Sequence, residues 1–179
     1  RKTIRTLGIR AMFFFLVVIV LLVALMVARS RWIESKQVPV KAIQLPEVNK
    51  EKAVAGISGA LKIPTLSAQG AFRPEVFLEL HRYLEEQFPL VHSKLQREVV
   101  GGFSLLYRWS GSDPAAQPIL LMSHLDVVAV PGDEEPRWTH APWSGDVADG
   151  YIWGRGAIDV KCGVLSQLEA VEHLLGQEY

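Results

Sequence analysis

With one cysteine in 179 residues, Cys162, the chain has no means of building an intrachain disulfide framework or a cysteine-rich zinc module. Charge of one sign is missing too. Nineteen basic and 19 acidic residues cancel, so no whole-chain field draws in nucleic acid, and none is expected as a partner. Internal repeats and low-complexity tracts are also lacking, which sets aside solenoids and biased linkers. The sequence opens on Arg1 instead of Met and stops at Gly176-Gln177-Glu178-Tyr179, directly after a helical pattern, so it is read as a fragment.

What is present begins with residues 11–28, AMFFFLVVIVLLVALMVA, which contain no charged side chain. As a helix this run is about 27 Å long, close to a hydrocarbon core of about 30 Å. A buried core helix is the weaker alternative, because a surface helix buries only one stripe. Residues 1–29 are therefore expected to be a basic leader and a transmembrane anchor, in contact with the lipid bilayer through 11–28. A cleaved signal peptide is the stronger rival: Arg1, Lys2, Arg5 and Arg10 form a basic n-region, and Ala28-Arg29-Ser30 loosely fits a small-x-small site. The apolar run exceeds a usual h-region, favouring an uncleaved, single-pass anchor over a secreted product. Arg29, Arg31, Lys36 and Lys41 nearly balance the leader, so the charge count alone does not orient the span. The short leader places the N-terminus in the cytoplasm and the domain on the extracytoplasmic side.

Residues 30–49, with Pro39 and Pro46 and no sustained period, read as a juxtamembrane linker, and 50–179 as a folded unit. A helix is expected over about 47–62, ended by Ile63-Pro64. Another begins at Pro74, carries Val76, Phe77, Leu80, Leu84 and Phe88 on one face, and is stopped by Pro89. Two strand-like runs, 95–100 and 103–109, flank Gly101-Gly102 as a hairpin. The unbroken apolar run Pro118-Ile119-Leu120-Leu121-Met122 reads as a strand buried on both faces. Asp149-Gly150 marks a second hairpin. Finally, Val164, Leu168, Val171 and Leu175 share a helical face from which Glu169, Glu172 and His173 are excluded. Alternating helices and strands predict an α/β fold with a mixed central sheet.

His124 and Asp126 fall just past the expected buried strand, where open α/β sheets place ligand sites. A histidine there can bind a cation while the carboxylate holds its other ring N–H. Taken alone, a strand-end histidine is more often structural. Asp159 follows Gly154-Arg155-Gly156 at the threshold of the last helix and offers two oxygens that can bridge metal ions. Its competing role is a helix N-cap. A dinucleotide site is disfavoured because Asp159 stands where G-x-G-x-x-G needs its third glycine. Cys162 reads as a small buried helix residue in preference to a sulfur ligand. His81 and His173 fall in helices, His92 in a connection and His140 among aromatics, none with a partner at metal spacing. Glu169 and His173 read as a solvated helix pair.

Three ordered blocks carry a resemblance. They are Pro118-Ile119-Leu120-Leu121-Met122-Ser123-His124-Leu125-Asp126-Val127-Val128, then Trp138-Thr139-His140-Ala141-Pro142-Trp143-Ser144-Gly145, then Asp149-Gly150-Tyr151-Ile152-Trp153-Gly154-Arg155-Gly156-Ala157-Ile158-Asp159-Val160-Lys161. Together they resemble the dinuclear zinc family of carboxypeptidase S, aminoacylase and the N-fatty-acyl-amino-acid synthase/hydrolase. The clear match covers about residues 119–175, and 47–109 fits more loosely. The resemblance implies part of a zinc-peptidase catalytic domain behind a transmembrane helix. It makes His124 a ligand of one zinc, Asp126 the support of that histidine and Asp159 the bridge between two Zn2+ ions. The general-base glutamate and remaining ligands are expected beyond this chain, so the fragment alone is expected to be inactive. Val160 departs from the family, which often has an acidic residue there, and this leaves the bridging position intact. The implied substrates are peptides with a free C-terminal carboxylate or N-acyl amino acids, and the implied assembly is a homodimer through a domain not present here. Two other classes stand beside the enzyme: a non-catalytic, membrane-anchored relative acting as a binding module, and a small membrane protein complete at 179 residues.

Overall fold

The structure, a computed structural model, describes residues 2–41 and 46–177. They divide into two compact units, one within Arg1–Pro46 and one within Glu47–Tyr179. The first contains helix α1 (Lys2–Ser30), whose stretch Met12–Ser30 has a mean hydropathy of 2.9 and is long and apolar enough to cross a membrane. Its apolar side chains are exposed nearly all round, Met12, Leu21 and Met26 among them, where a soluble surface helix would bury one stripe. Residues 34–41 after it take no regular structure.

In the second unit, helix α2 (Lys50–Leu61) starts three residues later than its apolar pattern suggests. Asn49 supplies the cap, its side chain accepting the Lys52 N–H at 2.9 Å. Helix α3 (Pro74–Gln87) begins at its proline and buries Phe77, Leu80, His81 and Leu84, the expected face. Gly59 lets the two helices approach closely, since a Cβ there would strike the Tyr83 ring, and Tyr83 Oη donates to Gly56 O at 2.8 Å. Pro89 does more than stop α3: it opens a further short helix, α4 (Pro89–Lys94). His92 therefore lies in a helix instead of a connection, with Nδ1 against Phe88 O and Nε2 against Tyr107 Oη at 2.7 Å.

Strands β1 (Gln96–Val100) and β2 (Ser104–Arg108) pair antiparallel from Gln96↔Arg108 to Val100↔Ser104. Gly101 and Gly102, at φ 61° and 87°, supply the left-handed turn the hairpin needs. Strand β2 turns Leu105 and Tyr107 towards the core, and Phe103 joins Phe72 and Phe77 in an edge-on aromatic cluster. Strands β3 (Val147–Ala148) and β4 (Tyr151–Ile152) form the second hairpin, with Asp149 and Gly150 at φ 55° and 80°. Helix α5 (Cys162–Gly176) closes the unit. Ala60, Ile63, Leu80, Leu84, Phe88, Val91, Val164, Leu165 and Leu175 form one core cluster from the four helices α2 to α5 and their connections. Cys162 is half-buried at the first position of α5, with Sγ 3.5 Å from Ile158 O.

Three expectations fail here. No mixed central sheet is found among the described residues, only the two hairpins and one isolated parallel bridge, Leu66↔Val127. The reason is residues 118–122: they form no strand, and Ile119, Leu120, Leu121 and Met122 stand 64–88% exposed. An apolar run becomes a buried strand only when neighbours take its N–H and C=O groups, and among the described residues only the Gln167 side chain does so, donating to Met122 O at 3.1 Å. Glu172, expected off the apolar face of α5, is buried, and its carboxylate accepts the N–H groups of Leu90 (3.0 Å) and Val91 (2.8 Å) at the start of α4. Those orphan donors, which no intrahelical carbonyl reaches, are what draw it inward. Glu169 and His173 are not a pair either: Glu169 meets Lys52 at 3.9 Å and His173 meets Gln177.

Candidate metal centre

His124 and Asp126 do not follow a strand. They sit in an extended segment held by the connection between α2 and α3. The Val127 N–H donates to Thr65 O at 2.9 Å, and Thr65 Oγ1 donates to Leu125 O at 2.6 Å. Residues 123–128 are thereby fixed without a sheet. Asp159 belongs to a kinked turn, 157–161, that leads into α5. Its own φ of −120° and ψ of 90° are extended, the Asp159–Val160 peptide is cis, and regular helix begins only at Cys162. Its carboxylate caps no helix; it turns instead to His124.

The two predicted donors meet, with His124 Nε2 at 2.9 Å from Asp159 Oδ1 across 35 residues of sequence. On the other side of the ring, Nδ1 faces Asp126 O at 3.0 Å and Asp126 Oδ1 at 3.3 Å. Every partner of the imidazole is thus an oxygen acceptor. Both nitrogens must carry protons to satisfy them, and the histidine pKa is raised accordingly. The Asp159 carboxylate is the main cause, desolvation opposes it, and the Asp126 carbonyl and charge add to the rise.

The same arrangement suits a cation. A divalent metal replaces the Nε2 proton, Nδ1–H keeps its acceptor in Asp126, and the tautomer is fixed from outside the coordination shell. The 2.9 Å between the two candidate donor atoms would have to widen somewhat for both to hold one cation. Nitrogen and oxygen donors of this kind fit zinc. Asp159 is 88% exposed, leaving its second oxygen free to reach a further ion. Among the described residues no set of three or more His, Cys, Asp or Glu side chains converges as a complete metal site; His124 and Asp159 bring two candidate donors together.

The glycines before Asp159 bring backbone against protein. A Cβ on Gly154 would press on Leu61, and one on Gly156, at φ 86°, would collide with Val127 Cγ1. Gly156 thus seats the Asp159 turn directly against the His124 segment, a contact tightened by Ser123 Oγ donating to Val160 O at 3.3 Å. Sequence reasoning passed over three nearby groups. Ser67 Oγ donates to Asp126 Oδ2 at 2.6 Å. Lys161 is buried, its pKa pushed down to about 8 by desolvation, with Nζ donating to Ala60 O and Ile63 O. His140, expected among aromatics and without a partner at metal spacing, holds Asp146 Oδ2 at 2.9 Å, which lowers the aspartate pKa, and stacks on Trp153. The turn between His140 and Asp146 makes that pair; the lysine, just after the Asp159 motif, was the one visible cue.

The chain is similar to known peptidases and amide hydrolases over much of its length. Residues 120–179 match the model of peptidase family M20/M25/M40. Carboxypeptidase S of Saccharomyces cerevisiae is 38% identical over 135 residues, covering 70% of this chain and 23% of that protein. The human N-fatty-acyl-amino acid synthase/hydrolase is 39% identical over 146 residues, covering 78% of this chain and 28% of that protein. Among solved structures, an M20 family metallo-carboxypeptidase from Sulfolobus solfataricus superposes with a TM-score of 0.54 at 27% identity, over 70% of this chain and 28% of its own. The chain therefore spans about a quarter of the length of these relatives.

Proposed function

We infer, from a chain whose residues 120–179 are M20/M25/M40 peptidase sequence, that it is the N-terminal portion of a membrane-anchored, zinc-dependent amide hydrolase. The observation that carries this reading is the 2.9 Å approach of His124 Nε2 to Asp159 Oδ1, with Asp126 behind the ring. His124 offers one nitrogen to a metal, Asp126 holds the opposite N–H and keeps that nitrogen aimed, and Asp159 offers one oxygen to the same ion and one to a second. Bound zinc supplies Lewis acidity that makes water nucleophilic near neutral pH and polarises an amide carbonyl. A general base is not assigned within residues 1–179; the family resemblance assigns it elsewhere in the protein. Substrates of the carboxypeptidase and N-acyl-amino-acid type follow from the names of the relatives; helix α1, long and apolar enough to cross a membrane, supports an anchor, and the short basic leader before it favours a domain on the extracytoplasmic face.

The test is made on the full-length protein. Amide hydrolysis of blocked dipeptides or N-acyl amino acids should disappear on chelation and return with zinc, and the protein should stay in the membrane pellet through alkaline carbonate washing. A preparation that takes up zinc yet cleaves neither substrate class would sink the hydrolase reading in favour of a binding module. Release of a soluble form starting near Ser30 would replace the anchor by a cleaved signal.

A further inference from the structure

Residues 60–67, the end of α2 and the start of its connection to α3, touch both halves of the metal centre. From the Asp159 side, Lys161, 1% exposed, reaches in and donates to Ala60 O and Ile63 O. From the His124 side, Thr65 binds Leu125 O and the Val127 N–H, and Ser67 binds the Asp126 carboxylate. One short stretch therefore sets the positions of two donor segments that lie 35 residues apart in sequence. Most of these contacts are backbone-directed and serve the fold. Ser67 differs, because its hydroxyl meets a side chain that itself touches a donor.

Asp126 divides its two oxygens: Oδ1 is 3.3 Å from His124 Nδ1, and Oδ2 accepts from Ser67 Oγ at 2.6 Å. The serine bond stops the carboxylate from rotating about its last torsion. Without it, Asp126, 41% exposed, is free to turn to water, leaving Nδ1 of His124 held by a backbone carbonyl alone. Resting on the metal-centre reading above, we propose that Ser67 is a positioning residue of that centre, acting through Asp126 on the aim of His124 Nε2. Groups that orient a ligating histidine directly change metal affinity by about 10–100-fold, and Ser67 stands one bond further out, so its share is about 3–10-fold.

The experiment is a Co2+ and Zn2+ titration of the full-length protein, wild type against Ser67→Ala, Ser67→Thr, Asp126→Ala and the Ser67→Ala/Asp126→Ala double variant. Ser67 is exposed, so Ser67→Ala should fold with an unchanged circular dichroism spectrum and melting temperature. It should bind metal about 3–10-fold more weakly, with an altered Co2+ visible absorption. Ser67→Thr should restore both, and Ser67→Ala should add nothing once Asp126 is alanine. Wild-type affinity and spectrum in Ser67→Ala, or a further loss in the double variant, overturns the positioning role while leaving the metal centre standing. Failure of the wild type itself to take up metal overturns both.

Discussion

At His124, three oxygen atoms decide how the imidazole points, and on the proposed reading a metal would compete with the proton for Nε2. Asp126→Asn should keep the fold while weakening zinc binding by about 10–100-fold, because the amide holds Nδ1–H less firmly and permits the wrong tautomer. His124→Ala should abolish binding at that position outright, as competition with a chromophoric chelator would report. Equal zinc affinity in Asp126→Asn and wild type would deny the aspartate its orienting role. The candidate donors His124 and Asp159, and Asp126 behind the ring, were named from motif positions alone, and the structure brings the three side chains together. Ser67 was not, because a loop serine carries no periodic signal and its partner is 59 residues away.

Helices and hairpins obey local rules, and there the sequence spoke most clearly. The 3.6-residue spacing of Phe77, Leu80 and Leu84 survives intact in α3, and both hairpins turn where two adjacent residues accept left-handed backbone. Glu172 is the instructive failure. Helical periodicity assigns a carboxylate to the wet face, but the start of α4 presents two N–H groups that need an acceptor. Glu172→Ala leaves both unsatisfied and should cost about 2–4 kcal/mol in urea unfolding, with Glu172→Gln milder because the amide oxygen still accepts. His81 offers a test by pH. Burial lowers its pKa, opposed by its bond to Phe103 O and reinforced by Arg97. The unfolded chain therefore takes a proton, near pH 6.5, that the folded chain refuses, so this contribution is complete above that pH and is lost as the pH falls below it. His81→Gln, which retains a donor for Phe103 O, should flatten the decline between pH 7 and 5. An unchanged slope would show that other groups control it.

Across the whole molecule, what depends on partners distant in sequence was hardest to read. The helical core cluster assembles from elements that pack through their own amphipathic faces, whereas the expected central strand needs neighbours on both sides, and sequence pattern cannot say whether they are at hand. Residues 118–122 consequently stay in the open in this chain, four large apolar side chains in a row whose backbone is met, among the described residues, only by Gln167 Nε2 at Met122 O. Such a segment is a template for adhesion between chains, since another extended strand can zip onto it and hide the same surface. Residues 1–179 produced alone should accumulate in inclusion bodies or on chaperones. In a chain lacking 1–29, so that α1 does not mask the effect, Leu121→Lys should raise the soluble fraction by placing a charge at the middle of the stretch. An unchanged soluble fraction would put the stickiness elsewhere. In residues 1–179 taken alone, the run 118–122 thus makes solubility a readout of whether its backbone has found a neighbour, two residues before His124.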